Sequence, residues 1–417
     1  MFIVYDLIYL ILAVIYLPVF LFKKKIHRGF QMRLGILPPD LGLDRPIWLH
    51  AVSVGEVMAI RGLLEKLRVI YPNRKFVIST VTPTGNKVAR DMAEDNDFIT
   101  YLPLDLSFIV RRVIDRINPS IFIIAETELW LNTIAYLHRK KIPVIVVNGR
   151  ISDRSFGGYR RIKFLFKSLL NKIDLFCVQT DSDAQRLISL GVLEDKIRIT
   201  GNMKFDNADY TDKYNALLKL GGEGKLWVAG STHAGEEEII LSVYKKLLSA
   251  FSDLRLLIAP RHPERVGQVE KLIIQYNFQP IRVSQLHLTP NTDNLKPIFI
   301  LDTIGQLLSF YALSDIVFVG GSLVKKGGHN ILEPAGIGKP ILFGPYMFNF
   351  RDIADLFLRA KAAMLVRNQQ DLEAGIRYLL NNPARMVELS QQAKELILQN
   401  QGATNRNVNL IRECLKG

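Results

Sequence analysis

At 417 residues, 48% hydrophobic and 23% charged, the chain has a globular composition and is too apolar for a disordered one. Its two cysteines, Cys177 and Cys414, form no CxxC pair and its seven histidines no HExxH, which excludes a disulfide scaffold, a cysteine-built zinc site and a zincin-type metal site. Fifty-four basic against 40 acidic residues leave +14, a balance that expects a polyanion: nucleic acid, an anionic membrane or a phosphorylated substrate.

The run Phe2–Phe22 carries one charge, Asp6, and is followed at once by Lys23, Lys24, Lys25 and Arg28. Its length suits a bilayer core. A cleavable signal peptide carries its positive charge before the apolar run, whereas here the order is reversed. Residues 1–35 therefore read as an N-terminal membrane anchor with a basic flank, and everything downstream as cytoplasmic. A helix tucked against the first domain is the plainer alternative.

Beyond Pro38-Pro39-Asp40, short apolar runs alternate with amphipathic ones. Strands are predicted at Ile47–Val52, Phe76–Thr80, Ile121–Ala125, Val144–Asn148, Leu175–Val178 and Ile197–Thr200. Nearly continuous apolar character is what parallel strands covered on both faces require. Helices are predicted at Glu56–Tyr71, Gly85–Glu94, Ser107–Ile117 and Asn132–Lys140. The pattern thins from Asp206 and ends in Gly-Gly-Glu-Gly, a hinge. It restarts with strands at Leu226–Ala229, Leu254–Ala259, Ile298–Leu301, Ile316–Val319 and Ile341–Phe343. The chain thus reads as an α/β protein with a first domain at 36–207, a linker at 208–224 and a second domain at 225–417. In such sheets ligands bind beyond the carboxyl ends of the strands. With two domains, the site is expected in the cleft between them.

The polar motifs fall just after predicted strands. Ser53-Val54-Gly55-Glu56 combines a glycine for close backbone approach with a carboxylate in the first helical turn. Its S-x-x-E spacing also fits a capping box. Glu126-Thr127-Glu128-Leu129-Trp130 sets two carboxylates at one strand end, and Gly201-Asn202-Met203-Lys204-Phe205-Asp206 sets a lysine beside the hinge. In the second half, Pro260-Arg261-His262-Pro263-Glu264-Arg265 offers an arginine suited to phosphate. Gly320-Gly321-Ser322 and Gly327-Gly328-His329-Asn330-Ile331-Leu332-Glu333-Pro334 promise free backbone N–H groups for an anion. Asn330 and Glu333 stand three apart, and Glu333 suits a ribose. The hydroxyls and amides of Ser231-Thr232-His233 are a further phosphate candidate. Asp181-Ser182-Asp183 reads as a helix cap rather than a metal-binding DxD, and Cys177 as core.

In combination these motifs resemble the 3-deoxy-D-manno-octulosonic acid (Kdo) transferases of lipopolysaccharide synthesis. SVGE, TPTG (Thr82–Gly85), ETELW, GNMKFD, STHAGEE, PRHPER, GGSLVKKGGHNILEP and GPYMFNF occur in this order over nearly the whole chain. The resemblance implies a GT-B fold, two Rossmann-like domains facing a cleft. It implies an inverting transfer from CMP-β-Kdo to a lipid A precursor (lipid IVA) at the cytoplasmic face of the bacterial inner membrane, with no cofactor. The family's catalytic base falls on Glu56 and its transition-state partners on Glu126 and Lys204. Its CMP contacts fall on Pro260 and Arg261, on Ile304, Gly305 and Gln306, and on Asn330, Ile331, Leu332 and Glu333. Gln306 departs from the glutamate usual in relatives.

The residue chemistry agrees. A poorly acidic acceptor hydroxyl needs a carboxylate base. Arginine neutralises a leaving phosphate without a metal. The stretch Arg154–Lys172, with Arg160, Arg161, Lys163 and Lys167 among Phe156, Phe164 and Phe166, suits an anionic membrane surface. The competing readings are a soluble GT-B sugar-nucleotide epimerase and a membrane-tethered nucleic-acid binder. The second would need a basic-aromatic stripe or a helix-turn-helix, and neither occurs.

Overall fold

Apolar runs separated by amphipathic ones pair in parallel into two seven-stranded sheets. The computed structural model describes residues 5–7, 9–11, 29–161, 163–208, 223–286 and 296–416. They divide into two compact units, Met1–Asn207 with Asn400–Gly417, and Ala208–Gln399.

In the first unit a single helical turn, α1 (Phe30–Arg33), precedes β1 (Ile47–His50), α2 (Val54–Ala59), α3 (Arg61–Ile70), β2 (Phe76–Thr80) and α4 (Pro83–Asp91). There follow β3 (Phe98–Tyr101), α5 (Ser107–Ile117), β4 (Ile121–Ala125), α6 (Leu131–Arg139) and β5 (Val144–Gly149). α7 (Asp153–Arg161), α8 (Lys163–Leu170), β6 (Leu175–Val178), α9 (Asp181–Leu190) and β7 (Ile197–Ile199) complete the sheet, in the order β3-β2-β1-β4-β5-β6-β7. Alternate residues of one strand enter opposite cores. Trp48, Phe122, Val144 and Val146 pack on one face, Ile47, Leu49, Ile121 and Ile123 on the other. Both faces being covered explains the continuous apolar runs. α5 buries Ile109, Val110, Val113, Ile114 and Ile117, one stripe at helical spacing, and ends at left-handed Asn118.

The second unit contains β8 (Leu226–Thr232), α10 (Glu236–Leu247), β9 (Arg255–Pro260), α11 (Val266–Gln275), β10 (Gln279–Arg282) and β11 (Pro297–Ile300). It continues with α12 (Leu307–Leu313), β12 (Ile316–Val319), α13 (Leu332–Ile337), β13 (Ile341–Phe343), α14 (Arg351–Arg359), β14 (Met364–Leu365), α15 (Gln369–Asn381) and α16 (Pro383–Asn400). Strand order is β10-β11-β9-β8-β12-β13-β14.

The first order reverses direction between β1 and β4 and the second between β8 and β12, where β11 also inserts between β9 and β10. A ligand crevice opens beyond the carboxyl ends at such a switch point. SVGE follows β1 and ETELW follows β4, while STH ends β8, with His233 just beyond it, and the glycine run follows β12. The motifs therefore flank the two places where each sheet can hold a ligand.

Three features depart from the expected organisation. The helix expected over Glu56–Tyr71 is broken at Ile60 into α2 and α3. Strands β3, β10 and β14 were hidden by short or mixed patterning. Finally, 225–417 reads as one domain in the sequence, yet Asn400–Gly417 belongs to the first unit. Its helix α17 (Ala403–Lys416) buries Ala403, Val408 and Ile411 in the same core as Leu63 and Leu67 of α3. Asp206 accepts from the backbone N–H groups of Gly402 and Thr404, which caps that returning helix.

Most of the proposed anchor Phe2–Phe22 and its basic flank, and most of the linker 208–224, lie outside the described residues. Among the described residues no helix is long and apolar enough to cross a membrane. Tyr5 and Asp6 are described, and both touch the first unit. The Tyr5 hydroxyl donates to Asp105 Oδ2 at 3.1 Å. Asp6 accepts from the Ser107 backbone N–H at 3.1 Å and from Asn132 Nδ2 at 2.7 Å.

Candidate functional site

Glu56 sits one helical turn beyond the end of β1. Its Oε2 accepts from the Val52 backbone N–H at 2.7 Å and its Oε1 from the Ser53 hydroxyl at 2.9 Å. Ser53 is the N-cap of α2, but its hydroxyl donates to the carboxylate instead of accepting from the helix. The S-x-x-E motif therefore makes neither bond of a capping box, since Glu56 takes the N–H of Val52 and not that of Ser53, and these two bonds fix the Glu56 side chain. Burial pushes its carboxyl up to about 7, helped by the charges of Glu126 and Glu128 and opposed by the Val52 and Ser53 bonds. A carboxyl balanced near neutral pH suits a general base.

Glu126 and Glu128 come from the loop beyond β4. Glu126 has φ 58°, a left-handed conformation that a β-carbon disfavours. Its N–H donates to Val147 of β5 at 2.9 Å, fixing the turn. Burial, then the Glu126 charge, raises the carboxyl of Glu128. Lys204 Nζ pairs with Glu126 Oε1 at 3.0 Å. The lysine is placed by the turn after Gly201. Asn202 Oδ1 accepts its backbone N–H, and the buried Asn148 Oδ1 accepts that of Met203, both at 3.0 Å. The three sequence-predicted residues of the first unit thus gather at one end of its sheet.

In the second unit Arg261 follows β9, its backbone N–H bonded to Thr232 O of β8 at 2.9 Å. Pro260 ends β9 with its ring buried. Asn330 Nδ2 donates to Glu333 Oε1 at 3.1 Å, and Asn330 Oδ1 accepts from the Leu332 N–H at 3.1 Å. α13 begins only at Leu332, so Asn330 precedes the helix and braces it from outside. Burial raises the Glu333 carboxyl, against the Asn330 hydrogen bond and the nearby charge of Arg261. Ile331 and Leu332 bury their side chains in the core and offer only backbone to a ligand. Ile304 is 86% exposed, Gly305 has φ 91°, and the Thr303 hydroxyl donates to Gln306 Oε1 at 2.5 Å. Gln306 therefore shapes its own loop, as a glutamate there would.

One expectation is overturned. In the glycine run, the N–H groups of Gly320, Gly321, Ser322 and Gly328 are not free for an external anion: Gly320 donates to Gly230 O and Gly328 to Gly321 O, both at 2.8 Å. Glu236, fully buried, takes those of Gly321 at 2.7 Å, Ser322 at 3.0 Å and Leu323 at 2.9 Å, and that of His233 at 2.9 Å. A carboxylate of the chain's own occupies the nest. The Thr232 hydroxyl is also engaged, donating to Glu237 Oε1 at 2.9 Å, and Glu237 pairs with Arg265. The His233 imidazole lies against that of His329, with Nε2 atoms 2.9 Å apart.

Sequence reasoning did not single out Glu236, Asn148 or His329 as participants. Three adjacent acids in Glu236-Glu237-Glu238 look like a solvated helix start, and nothing local says that the first is swallowed by a loop some 85 residues away. Asp181-Ser182-Asp183 forms the first turn of α9 and not its cap, which is Thr180: the Thr180 hydroxyl accepts from the Asp183 N–H at 3.2 Å and donates to Asp183 Oδ2 at 2.6 Å, and Asp183 also accepts from the Ile151 N–H at 2.9 Å. Among the described residues no cluster of three or more acidic, histidine or cysteine side chains is arranged to hold a metal. Of the aromatic residues in Arg154–Lys172, Phe156 and Phe166 pack against the core, and Phe164 alone is well exposed, at 77%.

The comparisons with known proteins agree with the motifs. A family model described as 3-deoxy-D-manno-octulosonic-acid transferase (kdotransferase) matches residues 28–207. A 3-deoxy-D-manno-octulosonic acid transferase of Haemophilus influenzae is 38% identical over 91% of this chain and 88% of its own length. Among solved structures, a glycosyltransferase from Rickettsia africae superposes with a TM-score of 0.57 at 15% identity, over 90% of this chain and all of that one. A UDP-GlcNAc 2-epimerase from Neisseria meningitidis superposes with a TM-score of 0.59 at 12% identity, over 88% of this chain and all of that one. The two structural likenesses establish two Rossmann-like units of GT-B type and do not choose between transferase and epimerase. The sequence likeness does.

Proposed function

The chain belongs to the 3-deoxy-D-manno-octulosonic acid (Kdo) transferases, glycosyltransferases of lipopolysaccharide synthesis, and on that premise we propose how its residues divide the work. The donor is CMP-β-Kdo and the acceptor a lipid A precursor, lipid IVA. The first unit supplies the base and the second holds the nucleotide. Glu56 takes the proton of an acceptor hydroxyl. The oxygen forms its bond to the anomeric carbon as the bond from that carbon to the phosphate oxygen breaks, with inversion. The electron pair leaves with CMP. Such a transfer passes through an oxocarbenium-like state, by analogy with glycosidases. Lys204 positions the donor's sugar carboxylate, and Glu126 holds the lysine and stabilises the developing positive charge. Arg261 neutralises the leaving phosphate, and Glu333, steadied by Asn330, receives the ribose hydroxyls. Pro260, the backbone of Ile331 and Leu332, and the Ile304-Gly305-Gln306 loop complete the nucleotide contacts.

The observation that carries this reading is Glu56 itself. It combines fixed geometry, two short hydrogen bonds and a carboxyl pushed up to about 7 in a turn that follows the switch-point strand. A plain helix cap would have no cause to be desolvated beside two further carboxylates.

The chain is placed at the cytoplasmic face of the inner membrane through Phe2–Phe22 and through α7 and α8. Arg160, Arg161, Lys163 and Lys167 are exposed there beside Phe164. Phe164, Lys167 and Lys172 also line a groove of about 400 Å³ with His138. Exposed cations around an exposed aromatic suit an anionic interface.

Purified protein supplied with a CMP-Kdo generating system and a lipid acceptor tests the reading by product mass. A mass increase of one or more Kdo residues supports it. Turnover of donor with no acceptor, giving an isomerised sugar, would make it an epimerase instead.

A further inference from the structure

At the switch point of the second sheet, the chain solves one electrostatic problem and leaves another open. Glu236 closes the nest of N–H groups. What remains facing outward is a set of imidazoles. The Nε2 atoms of His233 and His329 are 2.9 Å apart, and their ring planes lie within 5° of parallel at a centroid distance of 5.1 Å. The centroid distance exceeds the N···N distance by roughly one ring diameter. The rings therefore meet edge to edge, and one N–H points straight at the other nitrogen's lone pair. His262 stands across His233, 5.6 Å away at 77°.

The pair is held from behind. The His233 backbone is bonded to Glu236. Gly321, at φ 67°, lies against both rings: a β-carbon there would come within 3.0 Å of His329 Cδ2 and Nε2 and 3.3 Å of His233 Cδ2. The glycine's absence of side chain is what lets the two imidazoles approach.

Two neutral imidazoles joined this way present one outward Nδ1–H and one outward Nδ1 lone pair. Burial and the surrounding cations keep both neutral in the unliganded protein, pulled down to about 4. The charges facing them are Arg261, His262, Arg265 and Lys326, with Glu236 and Glu237 behind, Glu237 already neutralised by Arg265. An entering oxyanion reverses the balance. It favours a proton on the pair, and both Nδ1 atoms then donate.

We propose that the His233–His329 pair is an oxyanion-binding element of the donor site that takes up a proton as the anionic group of the donor engages it. This rests on the assignment of the second unit to the CMP-sugar. The shared chemistry is an oxyacid anion, and the donor has two: its phosphate and its sugar carboxylate.

The test uses the full-length protein. Calorimetry of CMP, CMP-Kdo and cytidine is run at pH 7.5 in buffers of low and high ionisation enthalpy, for wild type, His233→Gln and His329→Gln, with steady-state KM for CMP-Kdo alongside. Wild type is expected to absorb protons on binding CMP-Kdo and none on binding cytidine, and to absorb them on binding CMP if phosphate is the partner. If phosphate is the partner, each variant loses roughly ten- to hundredfold in CMP affinity, the loss typical of a hydrogen bond to a charged group, together with the proton uptake. If the sugar carboxylate is the partner, CMP affinity stays and KM for CMP-Kdo rises by a similar factor with loss of its proton uptake. Cytidine affinity retained in the variants shows that the unit remains folded. His329→Asn, with a shorter side chain, repeats the test should His329→Gln fail to fold. CMP and CMP-Kdo handled normally by folded variants, or a wild type that takes up no proton with either, overturns the pair's role and leaves the donor assignment standing. A wild type that binds neither CMP nor cytidine overturns the donor assignment and the pair with it.

Discussion

Lys204 Nζ lies 3.0 Å from Glu126 Oε1, and the two residues are 78 positions apart in the chain. The lysine reaches across from the turn after β7, and the glutamate from a left-handed turn after β4. Both are partly exposed, so the pair is available to a ligand and its worth to stability is small. Its value is expected in catalysis. Lys204→Ala and Glu126→Gln should each lower kcat/KM, and the double variant should lose less than the sum. A coupling energy of about 0.5–3 kcal/mol from a double-mutant cycle on kcat/KM is expected for contacting groups. Additive losses would mean that the two residues serve separate steps.

Glu56 should set the acid limb of the pH profile. Because its folded pKa is raised to about 7, the base is protonated below that value, and kcat should fall as pH drops through it. Glu56→Gln should lower turnover by roughly 10²–10⁴ and abolish that limb. The same shift has a stability consequence of fixed sign. The folded protein holds this proton more tightly than the unfolded chain, so its stability falls as pH rises from the ordinary carboxyl value of 4.5 to about 7. The melting temperature of Glu56→Gln relative to wild type should therefore be higher at pH 8 than at pH 5. A difference independent of pH would mean that Glu56 is not desolvated.

Much of this was legible before the structure because it depends on local pattern. Phe76–Thr80, Ile121–Ala125 and Ile316–Val319 are apolar runs bounded by turn residues, and each is a strand over the residues predicted. β10, Gln279–Arg282, has a half-buried, polar-bearing edge position, so no run marks it. Glu56, Glu126 and Lys204 could be singled out because their motifs follow predicted strands, while the roles expected of them came from the family resemblance. The role of Glu236 could not. The glycine loop and the glutamate that fills it are joined by a sheet crossover, and the sequence shows the loop's donors without the acceptor. For the same reason the return of α17 to the first unit is invisible in its amphipathic pattern, which specifies a buried stripe and not the partner that buries it.

Arg261 and Glu333 should separate the two ends of the nucleotide. Arg261→Ala is expected to weaken CMP by about 1.5–3 kcal/mol and to leave cytidine nearly unchanged. Glu333→Gln should weaken both, because the ribose is common to them. Calorimetry with the two ligands reads this directly. Unchanged CMP affinity in both variants would place the nucleotide elsewhere.

Glu236 should matter to stability more than to chemistry. It takes four backbone N–H groups while fully buried. Glu236→Ala strands those donors, each at a cost of about 1–3 kcal/mol before the loop relaxes or water enters. Chemical denaturation should show the loss, and Glu236→Gln should recover part of it, since an amide oxygen still accepts. A neutral Glu236→Ala would mean that the loop readily finds water for all four groups.

The N-terminal segment is expected to do two separable things. Asp6, the single charge in its apolar run, accepts from the backbone N–H of Ser107, the first residue of α5, and from Asn132 in the first turn of α6. Tyr5 donates to Asp105, which in turn accepts from the N–H groups of Asn132 and Thr133 at 3.0 and 2.9 Å. A carboxylate at a helix start is worth about 1 kcal/mol as a cap. Asp6→Ala should therefore lower the stability of the first unit by about that amount, read by denaturation, while membrane attachment persists. Deleting residues 1–22 should add the loss of the Tyr5 contact and weaken attachment as well. In vesicle flotation the truncated protein should still bind anionic vesicles at low salt through the α7–α8 cations. It should release as the Debye length falls from about 10 Å at 0.1 M to about 3 Å at 1 M. Full-length protein and Asp6→Ala should both stay bound at 1 M, because apolar burial is not screened. Release of the full-length protein in salt would refute insertion of the segment. Unchanged stability in Asp6→Ala would mean that the segment is tied to the membrane alone and that the Ser107 and Asn132 contacts carry no weight.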